Sequence, residues 1–236
     1  AFSSDQGQPT AYKPGSGGED IKMGDALKRP AFYLDTQIRT GCKTCMVACK
    51  DKNDLEPGVR WRRVFEYSGG EWLCEPDGTF RQDVFAYYIS VSCNHCAEPI
   101  CVEVCPTTAM TQDENGIVTV DQTRCMGCRY CEWACPYGAP QYQRDRGVMT
   151  KCDFCRDELS VGGIPACVAA CPTRALNFGE FDELKRDLSL DVQKAMAPLP
   201  DHGLTEPCAF FKSHRKNRPF GSTAGHIANP EENSDV

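Results

Sequence analysis

Residues 125–136 read Cys125-Met-Gly-Cys128-Arg-Tyr-Cys131-Glu-Trp-Ala-Cys135-Pro136. Their thiols follow the spacing Cys-x2-Cys-x2-Cys-x3-Cys-Pro, which binds cubane iron–sulfur clusters. In that arrangement three thiolates bind one cluster and the fourth binds its neighbour. This run therefore predicts a pair of clusters, and a second cysteine run is needed to complete them.

The sequence contains three more cysteine runs with related spacing. In chain order, residues 125–136 are the third run. The first run is Cys42-x2-Cys45-x3-Cys49, the second is Cys93-x2-Cys96-x4-Cys101-x3-Cys105-Pro106, and the fourth is Cys152-x2-Cys155-x11-Cys167-x3-Cys171-Pro172. Together they hold 15 of the 17 cysteines, and the first run is one ligand short. A protein organised in this way is predicted to transfer electrons. The remaining two, Cys74 and Cys208, are expected to be small buried hydrophobic residues.

An internal repeat locates the missing ligand. Residues 35–45 align with residues 121–131, since both begin with Asp and end in Gly-Cys-x2-Cys. This register places Arg39 opposite Cys125. The first run is therefore interpreted as the same motif with one ligand substituted, and not as a different motif.

The four runs must be paired to complete the clusters. We predict a nested arrangement, in which the second run pairs with the third and the first with the fourth, each fourth cysteine crossing to the partner run. The predicted ligand sets are site 1 (Cys42, Cys45 and Cys171, facing Arg39), site 2 (Cys49, Cys152, Cys155 and Cys167), site 3 (Cys93, Cys96, Cys101 and Cys135) and site 4 (Cys105, Cys125, Cys128 and Cys131).

Site 1 has three thiolates, so sites 2 to 4 are expected to hold [4Fe–4S] clusters and site 1 a [3Fe–4S] cluster. A four-iron cluster with water, hydroxide or a side chain as its fourth ligand is the alternative. A third alternative is that Arg39 is only a substitution peculiar to this sequence, next to a labile cluster site. The guanidinium carries a fixed positive charge and five donors, so it should favour the reduced cluster and raise its potential.

Other uses of so many cysteines fit the sequence less well. An odd number of cysteines in runs closed by Cys-Pro is not expected of a disulfide framework. Zinc would need two Cys-x2-Cys pairs for each ion. The net charge of −7 argues against nucleic-acid binding. No apolar run approaches the ~18 residues of a membrane span, and we expect no signal peptide.

The predicted fold is α+β, with two bacterial-ferredoxin-like modules nested in the sequence. Residues 31–92 and 146–197 form module one, residues 93–145 form module two, and residues 1–30 and 198–236 form extended arms. Strands are predicted at 31–35, 59–67, 84–92 and 117–121, and a helix at 181–196. The aromatic residues near the ligands are expected to shield sulfur from water, namely Tyr130, Trp133, Tyr137 and Phe154.

Several stretches resemble the iron–sulfur subunits of molybdenum oxidoreductases, and more narrowly the electron-transfer B subunits of dimethyl sulfoxide reductases. Those stretches are Thr40-Gly-Cys-Lys-Thr-Cys45, Val84-Phe-Ala-Tyr-Tyr88, Ser92-Cys-Asn-His-Cys96, Gly127-Cys-Arg-Tyr-Cys131, Ala134-Cys-Pro-Tyr-Gly-Ala-Pro-Gln-Tyr142 and Met149-Thr-Lys-Cys152. The similarity extends from about residue 31 to residue 230. The family pattern has cysteine where this sequence has Arg39.

The resemblance implies a heterotrimer and a non-catalytic role for this chain. A membrane anchor with a quinol site would supply electrons, and a catalytic subunit with a molybdenum bis-pterin cofactor would consume them. Site 4 would receive electrons on the quinol side, and site 1 would lie nearest the catalytic subunit. The resemblance also implies a peripheral position on the periplasmic membrane face, after export with a signal-bearing partner.

Two other functions remain as alternatives. An open iron at site 1 could bind a substrate, as in aconitase-type hydratases, although no acid–base residues cluster around residues 42–49. A free polyferredoxin carrier is the other alternative, and the two long arms favour docking instead. Within the family, polysulfide, selenate, chlorate and dimethyl sulfide enzymes have equivalent subunits, and cysteine spacing does not distinguish them or the direction of electron flow.

Overall fold

The computed structural model describes residues 28–187, 192–193, 196–213 and 216–233. Most of the predicted N-terminal arm, residues 1–27, lies outside these ranges. Short helices and small sheets alternate along the described chain, which confirms the α+β class. The helices in the described ranges are all too short or too polar to span a lipid bilayer.

The secondary structure consists of many short elements. The strands are β1 (Pro30–Asp35), β2 (Arg63–Gly69), β3 (Trp72–Cys74), β4 (Phe80–Gln82), β5 (Phe85–Val91), β6 (Met110–Gln112), β7 (Val118–Val120), β8 (Gln141–Gln143), β9 (Val148–Thr150), β10 (Leu176–Glu180), β11 (Val192–Gln193), β12 (Ala209–Lys212) and β13 (Gly225–Ile227). The helices are α1 (Thr44–Lys52), α2 (Ile100–Glu103), α3 (Tyr130–Ala134), α4 (Arg156–Ser160), α5 (Ala166–Ala169) and α6 (Phe181–Asp187), with a 3₁₀ turn at His202–Leu204.

The largest sheet has the strand order β10-β1-β12-β11. Its strand β1 is apolar on both faces, as is usual for an internal strand. Phe32 and Leu34 point into the main core, while Ala31 and Tyr33 point to the opposite face and join a smaller core with Phe181 of α6. This alternation follows from the two-residue period of a strand. Strand β1 ends at Asp35, a few residues before the first cysteine run, so the sheet anchors the start of that run.

A second sheet, of order β13-β2-β5, contributes buried residues of β2 and β5 to the main core. Strands β2 and β5 pair antiparallel from Arg63 opposite Val91 to Gly69 opposite Phe85. These strands lie close to the predicted ones at 59–67 and 84–92. The region between them, predicted as a turn, contains the additional hairpin β3–β4.

Two predictions for the C-terminal part of the protein are corrected. The helix predicted at 181–196 ends, in the described residues, at Asp187, and residues 192–193 form a strand instead. This strand pairs with Lys212 and Phe211 of β12, so tertiary pairing overrides the helical pattern. Residues 209–212, predicted as part of a surface arm, form an internal strand whose Phe210 is buried.

The cysteine runs lead into short helices that contact each other in two pairs. Helix α1 contacts α5, and α2 contacts α3. The hairpins β6–β7 and β8–β9 lie next to the second and third runs, and the strand predicted at 117–121 is β7. The helices of the first and fourth runs are thus neighbours, as are those of the second and third.

Candidate metal centres

At site 4 the structure brings residues from two runs together. A shallow hollow there is lined by four thiols and mainly apolar side chains, namely Cys105, Cys125, Cys128, Cys131, Thr107, Ala109, Met110, Val120, Met126 and Met149. Burial, followed by the charges of the other three thiols, raises the pKa of Cys131 to about 12. Cys105 of the second run therefore lies beside the first three cysteines of the third.

Site 3 shows the reciprocal crossing. Burial raises the pKa of Cys101, and the charges of Cys93, Cys135 and Cys96 raise it further. Cys135 of the third run thus lies among three cysteines of the second. Cys93 and Cys101 are buried, and Cys96 and Cys135 are partly buried.

Site 2 joins the first run to the fourth. Burial raises the pKa of Cys49 to about 12, with further contributions from the charges of Cys167 and Cys155. The charge of Cys49 in turn raises the pKa of Cys152, after the larger effect of burial. All four of these cysteines are buried.

At site 1 the structure places Arg39 against a thiol. The Arg39 guanidinium donates to Cys45 Sγ at 3.8 Å, and its Nε, which is buried, has no partner among the described residues. Cys171 is buried in the same core cluster as Cys45. Cys42 is exposed, and hydrogen bonds from the Thr44 side chain and backbone lower its pKa, with a further contribution from Arg39.

The four runs share one feature of backbone conformation. The residue directly before Cys42, Cys96, Cys128 or Cys155 has a positive φ: Gly41 (69°), His95 (43°), Gly127 (71°) and Phe154 (65°). L-residues adopt this conformation only at a cost, so its recurrence indicates a common constraint. The same loop geometry therefore recurs in all four runs, including the first run, which lacks one ligand.

Backbone amides donate to the sulfur atoms. The Met110 N–H donates to Cys105 Sγ at 3.4 Å, and the Leu176 N–H donates to Cys171 Sγ at 3.4 Å. The Met149 N–H donates to Cys125 Sγ at 3.3 Å. Such donors stabilise the thiolate form that an iron ligand requires. The donor set and its surroundings fit iron–sulfur clusters.

Within the described ranges, no three His, Cys, Asp or Glu side chains converge closely enough to hold one ion. The fit to clusters rests on the grouped thiols and their amide donors.

Two buried cations near the sites had no signal in the cysteine spacing. Arg62 is 2% exposed and lies among thiols of sites 1 and 2. Lys151 is 3% exposed and donates to the carbonyls of Val118 and Cys152. Arg62 lies outside all four cysteine runs, so spacing could not identify it. Lys151 directly precedes Cys152, but sequence alone could not show its burial.

The predictions for aromatic and leftover cysteine residues are correct only in part. Tyr137 and Phe154 are buried, whereas Tyr130 and Trp133 are exposed, so these two do not shield sulfur within this chain. Cys208 is buried as expected, but Cys74 is exposed, because it ends the short solvent-facing strand β3.

Comparisons with known proteins agree with this chemistry. Residues 84–181 match a 4Fe-4S dicluster domain. The sequence is 52% identical over 204 residues to the B subunit of the anaerobic dimethyl sulfoxide reductase of Escherichia coli, a match that covers 85% of this protein and 97% of the relative. It is 48% identical over 206 residues to the subunit of the same name from Haemophilus influenzae (87% and 100%). It is also 44% identical over 144 residues to the thiosulfate reductase electron transfer subunit PhsB of Salmonella typhi (61% and 71%).

Proposed function

Because this protein belongs to the family of iron–sulfur B subunits of anaerobic dimethyl sulfoxide reductases, we propose that it relays electrons through four clusters between a quinol-oxidising membrane anchor and a molybdenum catalytic subunit. Members of this family are electron-transfer subunits without a catalytic site of their own, so the hydratase alternative is set aside. Dimethyl sulfoxide, which the relatives' names give as substrate, is the proposed terminal acceptor.

The observation that carries the proposal is the loop conformation that recurs beside the grouped thiols. In all four runs a residue with positive φ directly precedes the same cysteine of the motif (Cys42, Cys96, Cys128 or Cys155), and thiols from distant runs lie beside these loops. When bound, the clusters supply one-electron redox chemistry. The protein itself would hold them through the cysteines of sites 1 to 4, donate amide hydrogen bonds to sulfur, and exclude water through the burial of most ligands.

The nested modules follow from the same grouping. Residues 31–92 and 146–197 would form module one, and residues 93–145 module two. The contacts of α1 with α5 and of α2 with α3 support this pairing. Residues 198–236 would add strands to the outside of module one, since β12 pairs with β1 and β13 pairs with β2.

Site 1 is proposed to hold a [3Fe–4S] cluster, and the other sites [4Fe–4S] clusters. At position 39 the sequence offers a guanidinium in place of a thiolate, and a cation cannot bind iron. The contact between Arg39 and Cys45 Sγ supports a location beside the cluster. Its charge would favour the reduced form, so site 1 would accept electrons readily from site 2.

The two ends of the relay would contact different partners. Near site 4 the apolar side chains of Met126, Tyr130 and Trp133 are exposed, which supports docking of the membrane anchor there. At the other end Cys42 of site 1 is exposed, which supports docking of the catalytic subunit. The complex would lie on the periplasmic face of the membrane, and this subunit would be exported with a signal-bearing partner.

The test uses the native complex, purified anaerobically through a tag on this subunit. Co-purification of a molybdenum protein and of an integral membrane protein is expected, with iron for four clusters per copy of the subunit. A quinol analogue should reduce the clusters, as followed by electron paramagnetic resonance (EPR), and dimethyl sulfoxide should reoxidise them. Isolation as a monomer that dimethyl sulfoxide cannot reoxidise would instead support a free carrier. Reoxidation by thiosulfate or polysulfide but not by dimethyl sulfoxide would support the relay function and assign it a different terminal substrate.

A further inference from the structure

Arg62 places a full positive charge inside the main core. The residue directly precedes β2 and is 2% exposed. In the described residues no Asp or Glu forms an ion pair with it. A buried charge is costly unless it has an opposite charge nearby, so the position of Arg62 requires an anionic partner.

Two neutral hydroxyl groups help to fix its orientation. The guanidinium donates to Ser90 Oγ at 3.2 Å and to Ser92 Oγ at 2.9 Å. Its central carbon lies 4.4 Å from the centre of the Phe32 ring, while Nε has no hydrogen-bond partner within the described part of the protein. These contacts hold the group in place but do not neutralise it.

The groups around Arg62 that would be anionic as iron ligands are cysteine thiols of two sites. Burial acts to lower the pKa of Arg62, but the charges of Cys167, Cys45, Cys152 and Cys49 outweigh it and raise the pKa above its ordinary value. Ser90 Oγ, which accepts from Arg62, lies 3.4 Å from Cys45 Sγ. Three of these cysteines belong to site 2 and one to site 1.

We propose that Arg62 is a shared counter-charge that raises the reduction potentials of the clusters at sites 1 and 2. Reduction adds one negative charge to a cluster, and a fixed cation in a water-poor interior stabilises that charge more than it would in solvent. The effect on each site needs no change in protonation. The inference rests on the ligand sets of the proposed function, and it makes sites 1 and 2 the end of the relay where electrons collect.

The neighbouring Arg63 shows that this placement is specific. Arg63 donates to the carbonyls of Tyr137 and Gly138, and its charge acts on Cys135 of site 3. Arg62 thus acts on thiols of sites 1 and 2, whereas Arg63 acts on a thiol of site 3.

The experiment is an EPR-monitored potentiometric titration of the full complex carrying Arg62→Gln. At a fixed potential the ratio of reduced to oxidised cluster at sites 1 and 2 should fall at least tenfold, which for one electron is about 59 mV in the midpoint potential. None of the four thiols named above belongs to site 4, so the cluster at site 4 should keep its midpoint potential. Arg62→Lys, which preserves the charge, should lower the ratio less than Arg62→Gln does. The control Arg81→Gln changes an exposed arginine of β4 and should shift none of the midpoint potentials.

The outcomes separate this inference from the proposed function. Four intact clusters with wild-type potentials in Arg62→Gln would overturn the inference and leave the relay standing, as would equal shifts in Arg62→Gln and Arg62→Lys. Loss of the clusters at sites 1 and 2 in Arg62→Gln alone, with all four kept in Arg62→Lys, would support a required counter-charge. Loss of all clusters in both variants would assign Arg62 to folding and overturn the inference. Fewer than four clusters in the wild-type complex would instead contradict the proposed function.

Discussion

The Arg39 guanidinium donates to the sulfur of Cys45 across 3.8 Å. The internal repeat aligns Arg39 with Cys125, so a cation occupies the position that a thiolate occupies in the third run. A thiolate at this position would bind iron, whereas a guanidinium can only donate to sulfur. In the proposed function, this contact accounts for both the composition and the charge of site 1.

Replacing Arg39 with Cys should convert site 1 into a four-iron site. The oxidised wild-type protein is expected to show the EPR signal of a [3Fe–4S] cluster, because such clusters are paramagnetic when oxidised and ordinary [4Fe–4S] clusters are not. Arg39→Cys should abolish that signal and add one iron per copy of the protein. Arg39→Lys, which offers no thiolate, serves as control and should keep the signal. An oxidised wild-type protein without the signal but with four reducible clusters would show that another group completes a four-iron site.

Cys171 and Cys208 are both buried but should respond differently to substitution. Cys171→Ala should remove the cluster signal of site 1, because Cys171 is a proposed ligand and accepts the Leu176 N–H. Cys208→Ala should keep all clusters and reduce the free energy of unfolding by about 1 kcal/mol, as expected for loss of a buried side chain that is not a ligand. Iron content and chemical denaturation measure the two effects. Cys74→Ala, at an exposed position, should change neither, and loss of iron in Cys208→Ala would contradict the assignment.

Gly127 should not tolerate a side chain. Its φ is +71°, and an added Cβ would lie 2.2 Å from the Gly147 carbonyl oxygen. Gly127→Ala should lower the free energy of unfolding by about 2–5 kcal/mol, from backbone strain and overpacking together, with preferential loss of the site 4 cluster. Gly78 also has a positive φ, but nothing lies within 4 Å of its added Cβ. Gly78→Ala should cost about 1–2 kcal/mol and keep the cluster, and equal losses in both variants would show that strain alone decides.

Trp133 should contribute to docking of the membrane anchor. It lies on α3 beside site 4 and is 72% exposed. Trp133→Glu should lower the amount of anchor that co-purifies with this subunit several-fold, because a carboxylate replaces an aromatic contact at the interface. Its cluster content should not change. Trp72 on β3 is 65% exposed and provides the control, and Trp72→Glu should retain the anchor. Retention of the anchor by both variants would place the interface elsewhere.

Much of this protein could be predicted from local spacing. A Cys-x2-Cys pair specifies its ligands because iron–sulfur bonding fixes the distances between thiols a few residues apart. The same locality made the substitution at Arg39 recognisable, through the repeat of residues 35–45 and 121–131. Strands β1 and β5 were also predictable, since an unbroken apolar run or an alternating one indicates strand pairing.

The extent of the C-terminal elements could not be predicted in this way. Residues 192–193 carry a helical pattern but form a strand, because β12 offers a pairing edge that no local pattern reveals. For the same reason residues 209–212 form an internal strand beside β1 and not part of a surface arm.

The sequence by itself determined the chemistry of this protein: fifteen cysteines in four runs, with an arginine where a sixteenth ligand is expected. Only the tertiary structure decided which thiols lie together and which charge lies among them. Arg62 belongs to no motif, and its proposed role depends on its place directly before β2 and on β5, which brings Ser90 next to Cys45. Ligand spacing is a property of a few consecutive residues, whereas the electrostatic environment of a cluster is the sum of charges from segments distant in sequence.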